Sequence, residues 1–185
     1  MANEAALAAL MSGLGKTFKV VGGTGMTMTE KIRHSDEAVE EYMHDLVSRT
    51  VLVGIPASED DRDDGSEVGN AARLYVHEYG APEVGIPARP TLMPGIDDVQ
   101  DDIVKFFKAA ASAALAGDHT KVDQMMHSAG IAARDAVKAR ISSNTPPPLA
   151  ERTIQDRVAR GKTSTATLID EGEMLGAINY VVEKK

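Results

Sequence analysis

The chain contains no cysteine and no tryptophan, and only 4% of its 185 residues are aromatic. Without cysteine it can form no disulfide, no thiolate metal site and no cysteine nucleophile, and this composition is typical of a protein made inside a cell. With so few aromatic side chains, a stacking platform for single-stranded nucleic acid is not expected. No apolar run approaches the roughly 20 residues of a membrane helix, so no membrane contact is predicted.

Positive charge is also scarce. The chain has 20 lysines and arginines against 28 aspartates and glutamates, for a net charge of -8. This balance repels phosphate groups and disfavours general electrostatic binding of DNA. The length predicts a single domain, 1–185, with a core of its own. Residues 1–11 contain Glu4 and no basic cluster, which predicts a short helix and no signal peptide.

Three partial motifs for catalysis or metal binding fail on residues that they require. Gly15-Lys16 and Gly161-Lys162 both lack the glycine five residues earlier that a phosphate-binding loop needs. His77-Glu78 lacks the second histidine of a zinc-protease helix, because position 81 is alanine. The acidic segment 58–67 departs from a calcium loop at the third and last ligand positions. We therefore expect no enzyme activity, no cofactor and no metal site.

Hydrophobic spacing predicts an α+β fold, with a small mixed or antiparallel sheet packed against a long helical hairpin and with extended loops. Segment 68–79 fits either a helix or a strand. Mobile loops are expected near 22–29 and 58–67. Helices are predicted over 35–48, 96–116, about 120–142 and about 148–158, and strands near 16–22, 50–55 and 178–182.

The helical hairpin is the clearest of these predictions. Gly117 is expected to end its first helix, and Thr120 with Asp123 has the pattern of a capping box that begins the second. The second helix has one apolar stripe, which predicts its buried face: Val122, Met126, Ala129, Ala133, Val137 and Ile141. The helix over 35–48 is expected to bury Val39, Met43, Leu46 and Val47.

The segment 75–95 combines four prolines and three glycines with large apolar side chains. Proline fixes φ and favours extended conformations in the residue before it, whereas glycine permits positive φ. The composition therefore predicts a rigid, shaped connector that presents apolar side chains to a neighbouring molecule.

Three segments together resemble a known family. They are Val-His-Glu-Tyr-Gly at 76–80 with Ile-Pro-Ala-Arg-Pro-Thr-Leu at 86–92, then Pro-Leu at 148–149 with Thr153-Ile154 and Arg157, and finally Leu-Ile-Asp-Glu-Gly-Glu-Met at 168–174 with Ile-Asn-Tyr-Val-Val at 178–182. This order resembles the tail-completion proteins of tailed bacteriophages, also called neck, head–tail joining or virion morphogenesis proteins. Thr91 stands where that family usually has phenylalanine, and Glu171 stands where it usually has threonine.

The resemblance implies a non-enzymatic structural protein of the virion, made in the bacterial host cytoplasm. Its expected partners are further copies of itself in a hexameric ring, the tail tube protein and the connector proteins of the head. DNA would pass through the ring without sequence-specific binding. A ring-forming adaptor or stopper, an assembly factor absent from the finished particle, and a small metal-dependent or nucleotide-handling enzyme remain as alternatives.

The residues expected at subunit interfaces lie in the connector and near the C-terminus. Arg89 either binds a carboxylate across an interface or pairs within its own chain. The acidic segment is the candidate lining of the DNA channel, through Asp60, Asp61, Asp63 and Asp64. The interface candidates are His77, Glu78, Tyr79, Ile86, Pro87, Arg89, Pro90, Leu92, Met93 and Asp170.

Overall fold

Two strands and seven helices form the part of the chain that the computed structural model describes, residues 39–62 and 66–184. The predicted N-terminal helix, the strand near 16–22, the loop near 22–29, Asp63 and Asp64 lie outside these residues. In chain order the elements are α1 (39–47), β1 (Arg49–Gly54), α2 (Asn70–Tyr79), α3 (Leu92–Asp97), α4 (Gln100–Leu115), α5 (His119–Ser142), α6 (Glu151–Ala159), α7 (Glu173–Ala177) and β2 (Asn179–Lys184).

The fold is mixed α+β, and its two-stranded antiparallel sheet packs against the hairpin of α4 and α5, as the sequence predicts. β1, the first described strand, pairs with β2, the last one. Val51 pairs with Val182, and both pack against the hairpin core. The neighbouring pair of Leu52 and Val181 is exposed, because successive side chains of a strand point to opposite faces.

The core of the hairpin consists of small residues on α4 facing larger ones on α5. Ala110, Ala113 and Ala114 are buried against Val122 and Met126. Alanine allows the two helix backbones to approach closely, and the apolar residues of α5 fill the remaining space. The whole predicted stripe of α5 is buried, at Val122, Met126, Ala129, Ala133, Val137 and Ile141.

The turn between α4 and α5 confirms one predicted cap and corrects the other. Gly117 has φ +73°, and its N–H donates to the carbonyl of Ala114, while the Asp118 N–H donates to that of Ala113. This is the hydrogen-bond pattern of a Schellman ending. Asp118 comes directly after Gly117, and its carboxylate accepts the Lys121 N–H at 2.9 Å. Asp118 therefore caps α5, and the prediction of Thr120 as the cap is wrong.

The single helix predicted over 96–116 is two helices in the structure. α3 ends at Asp97, and α4 begins at Gln100. The break lets α3 lie across α5, where a Cβ on Gly95 would be 2.9 Å from the Cα of Val137. The uncertain segment 68–79 forms the helix α2, and not a strand.

The inward face of α1 also differs from the predicted one. Val39, Met43 and Val47 are exposed, whereas Leu46 packs against the hairpin core as predicted, together with Tyr42. The buried stripe is centred on a charged residue, Asp45, which the apolar pattern could not indicate. Its carboxylate binds Arg49, His119 and Lys184, and so joins α1, β1, α5 and β2.

Candidate interaction site

Parts of three separated segments, within 77–89, 147–160 and 167–174, line one open cleft of about 860 Å³. One wall is formed by the C-terminal end of α2 and by residues 80–90. We call residues 80–90 the arm. The other wall is formed by residues 147–150, by α6 and by residues 167–174. Segments that lie far apart in the sequence therefore meet at one place on the described surface.

The arm is closed by backbone hydrogen bonds at both ends. Ala81 and Ile86 exchange two of them, at 2.8 and 3.0 Å, around a 3₁₀ turn over Pro82–Val84. The Arg89 N–H donates to the carbonyl of His77 at 2.6 Å. Gly80 has φ +76°, and a Cβ there would be 2.8 Å from the Ala88 nitrogen. Only glycine fits that position without strain, which explains the glycine that follows α2.

Glu78 braces the arm from beneath. It is 8% exposed, and its Oε2 accepts the N–H groups of Thr91 and Leu92 at 2.7 and 2.9 Å. Its Oε1 accepts the Met93 N–H at 3.1 Å. These N–H groups are at the start of α3, where no carbonyl of the helix can accept them. The carboxylate therefore caps a helix that follows 13 residues later in the sequence.

Arg89 joins the arm to the opposite wall of the cleft. The residue is 5% exposed, and its Nε donates to the carbonyl of Pro147 at 2.7 Å. One Nη donates to the carbonyl of Pro148 at 3.0 Å. Both of these partners lie in its own chain, which is the second of the two alternatives considered for Arg89. No carboxylate among the described residues forms an ion pair with it.

His77 is a neutral neighbour of this arginine. Burial holds the pKa of His77 below its ordinary value of 6.5, and the charges of Arg89 and Arg73 lower that pKa further. The Nδ1 atom is buried and has no hydrogen-bond partner among the described residues. The ring therefore adds no charge to the cleft at neutral pH.

The opposite wall is held by a network around Asp170. Its carboxylate is 3.0 Å from both Arg160 and Lys162 and 3.5 Å from the Arg157 Nε. Burial raises the pKa of Asp170, but the hydrogen bonds from Lys162 and Arg160 outweigh burial and hold that pKa below its ordinary value. Arg157 also donates to the carbonyls of Ser164 and Ala166, which fixes the loop after α6.

Exposed aromatic side chains lie beside the cleft. Tyr75 and Tyr79 are 66% and 65% exposed, and their ring centroids are 4.8 Å apart on one face of α2. Tyr79 lines the cleft, and Met93 is also exposed. The sequence motifs indicate only Tyr79 of this pair, although a spacing of four residues on a helix places Tyr75 next to it.

The remaining interface candidates differ in exposure. Pro87 and Pro90 are exposed and Ile86 is half-buried on the arm. Leu92 is half-buried and packs against the core that contains Ile141 and Ile178, so it supports the fold more than a surface.

Of the four aspartates expected to line the channel, Asp60 and Asp61 fall within the described residues. Asp60 is half-buried, and its carboxylate accepts the Ala71 N–H at 2.7 Å near the start of α2. Asp61 is exposed. The segment is thus partly engaged within its own chain, and Arg62 from it forms an ion pair with Glu173 at 2.7 Å.

The described residues contain no group of three or more histidines, aspartates or glutamates that could hold a metal ion. Over the same residues, no helix has the length and apolarity to cross a membrane. The chain matches no protein-family model, and no curated protein or solved structure is significantly similar to it.

Proposed function

We propose that this chain is a structural virion protein of a tailed bacteriophage, completing the head-proximal end of the tail and joining it to the head connector. The observation that supports this proposal best is the meeting of the three family-like segments around one cleft. Residues 76–92, 148–157 and 168–174 resemble the family in order, and they form a single interlocked surface.

The roles of the polar residues favour a scaffold over a catalyst. Glu78 is used to cap α3, and Arg89 is used to fasten the arm to Pro147 and Pro148. The carboxylate and the guanidinium, which could otherwise take part in catalysis, thus hold the backbone in one conformation. A rigid surface is the property that a joint between two large assemblies requires, because ordering it on binding costs little.

The exposed apolar residues supply candidates for contact with neighbours. Tyr75, Tyr79, Val84 and Met93 are between 55% and 70% exposed and belong to α2, the arm and α3. Tyrosine and arginine are the residues most often found at the energetic centres of protein interfaces. We infer that this surface contacts a neighbouring subunit or the tail tube protein, within a hexameric ring that leaves a channel for DNA.

A ring-forming adaptor or stopper would differ from this proposal only in its neighbours. The enzyme alternative needs Glu78 as a metal ligand or a base, and three backbone N–H groups already surround that carboxylate. No observation on the described residues favours it. Titration with divalent ions would separate the two classes, since stoichiometric binding would support an enzyme.

A joining assay tests the proposed function. Purified protein is added to DNA-filled heads and to tails from a phage that lacks the gene, and joined particles are counted by electron microscopy. The proposal predicts restored joining. Failure to join competent heads and tails would overturn it.

A matched pair of variants makes the assay specific for the surface. Tyr79→Ser removes an exposed side chain beside the cleft, and Leu115→Ser removes one of 56% exposure at the end of α4. Both variants should fold, because surface substitutions of this kind change stability little. We expect Tyr79→Ser to reduce joining and Leu115→Ser to leave it unchanged.

A further inference from the structure

The cleft contains a buried positive charge, that of Arg89, which no carboxylate among the described residues pairs with. Of the three side-chain nitrogens of Arg89, the Nε and one Nη donate to carbonyl oxygens. The other Nη makes no hydrogen bond with any described residue, although Arg89 lines the cleft and is only 5% exposed. A buried guanidinium that meets only neutral acceptors favours a nearby anion strongly.

The surroundings of Arg89 strengthen this preference. Five arginines line the cleft, at positions 62, 73, 89, 157 and 160, against three carboxylates, at 170, 171 and 173. Those carboxylates already bind other cations, since Asp170 binds Arg160 and Lys162, Glu171 binds Lys162, and Glu173 binds Arg62. Five arginines against three carboxylates leave an excess of positive charge among the lining residues, within a chain whose net charge is -8.

The same chain presents a surface of the opposite charge. Asp97, Asp98, Asp101 and Asp102, which we call the acidic corner, lie at the junction of α3 and α4 and are all exposed. None of them lines the cleft. Asp98 pairs with Arg140 and Asp102 with Lys105, whereas Asp97 and Asp101 form no ion pair with any described residue.

The helix dipole explains only part of this corner. Asp101 lies in the first turn of α4, where a negative charge is favourable. Asp97 is the last residue of α3, where the dipole of that helix disfavours a carboxylate. A cation from outside the subunit would offset this cost.

We propose that the cleft around Arg89 binds the acidic corner of a second copy of this chain. The unbound Nη of Arg89 would donate to a carboxylate of Asp97 or Asp101, with Tyr79 packing at the rim. Two different surfaces of one subunit would thus meet on successive copies, which is the heterologous contact that closes a ring. This inference rests on the ring assembly in the proposed function.

Cysteine cross-linking tests the contact directly, because the natural chain has no cysteine. One protein carries Asp101→Cys, and a second, of distinguishable mass, carries Ala150→Cys at an exposed position on the cleft rim. The two are mixed and treated with a short bismaleimide, both free in solution and on joined particles. Asp135→Cys on the exposed side of α5 replaces Asp101→Cys in the control.

We expect mixed dimers of Asp101→Cys with Ala150→Cys to exceed either homodimer and the Asp135→Cys control several-fold. Mixed dimers no more abundant than the control, in solution and on particles, would overturn the inference. If heads and tails still join when the cysteine variants are supplied but do not cross-link, the proposed function stands and only this contact is excluded. If joining fails as well, the proposed function falls with it.

Charge reversal gives a second measurement that does not disturb the buried arginine. Asp101→Lys should weaken self-association in sedimentation by about tenfold or more, because it places a cation against Arg89. Asp135→Lys changes the net charge equally and should leave association close to that of the natural chain. Equal effects of the two substitutions would contradict the proposed contact.

Discussion

Replacing Glu78 with glutamine tests whether this buried carboxylate holds the arm and α3 together. The carboxylate accepts three backbone N–H groups, two on Oε2 and one on Oε1. Glutamine keeps one acceptor oxygen and turns an NH₂ group towards the remaining donor. At best the amide oxygen of the variant accepts two of the three backbone N–H groups, without the negative charge. The third N–H group then loses its acceptor and faces the NH₂ group, which is also a donor.

The expected cost follows from these changes. A hydrogen bond to a charged group contributes about 1.5–3 kcal/mol, and a buried donor left unsatisfied costs about 1–3 kcal/mol. Since these contributions overlap at one N–H group, we expect Glu78→Gln to lower the free energy of unfolding by about 2–3 kcal/mol. For a chain of this size, that corresponds to a melting temperature lower by about 4–12 °C.

Urea denaturation followed by circular dichroism measures this difference, and Glu83→Gln is the matched control. Glu83 is exposed on the arm and makes no hydrogen bond through its side chain among the described residues, so its replacement should change stability little. If both variants unfold at the same urea concentration, the capping role of Glu78 is refuted.

Four further substitutions test other parts of the structure by thermal or chemical unfolding. Arg89→Ala removes two hydrogen bonds to carbonyls and should cost about 2–4 kcal/mol, and an unchanged melting temperature would contradict its bracing role. Asp45→Asn should cost about 1.5–3 kcal/mol at pH 7, because it removes the charge that Arg49, His119 and Lys184 share and leaves buried Arg49 with Asp123 as its remaining carboxylate among the described residues. Lys184, then Arg49 and His119, hold the pKa of Asp45 well below its ordinary value of 3.8, so this contribution is present above that pH and is lost as the pH falls below it. The deficit of Asp45→Asn should therefore shrink in acid, and a constant deficit would exclude the assignment. Gly80→Ala introduces a Cβ close to backbone at positive φ and should cost about 1–3 kcal/mol, which a stability equal to the natural chain would disprove. Thr91→Val removes a buried hydroxyl that has no partner among the described residues, so it should leave stability unchanged or raise it by about 1 kcal/mol, and a clear loss would show that the hydroxyl is satisfied.

The fold class and the hairpin could be predicted because their signals are local. The buried stripe of α5 repeats at helical spacing, and Gly117 marks a helix end that needs positive φ. The strands were predicted to within about two residues of β1 and β2 by their β-branched side chains. These features depend on neighbours in the sequence and require no knowledge of distant contacts.

The errors arose where distant contacts decide the local structure. α3 begins before the predicted helix because the carboxylate of Glu78 caps it from another element. The inward face of α1 is centred on Asp45, whose charge is accepted in the core only because Arg49, His119 and Lys184 converge on it. No pattern of apolar residues contains that information.

The candidate site was predicted in part. The sequence indicated residues 76–92 and Asp170, and the structure places His77, Tyr79 and residues 85–89 on one wall of a cleft and Asp170 on the other. It did not indicate that Arg89 would bind the carbonyls of Pro147 and Pro148, because backbone acceptors have no sequence signature. Arg62, Arg73 and Arg160, which also line the cleft, were missed for a similar reason, since they come from separate segments of the chain.

The location of the chain in the finished particle tests the central claim most directly, because a structural protein of the neck must remain there. Virions purified from the phage that encodes this chain would be imaged by electron cryomicroscopy, and density at the head–tail junction compared with the structure of residues 39–184. The account predicts a closed ring of copies at the head-proximal end of the tail tube. Virions that are complete, infectious and free of this chain would contradict it.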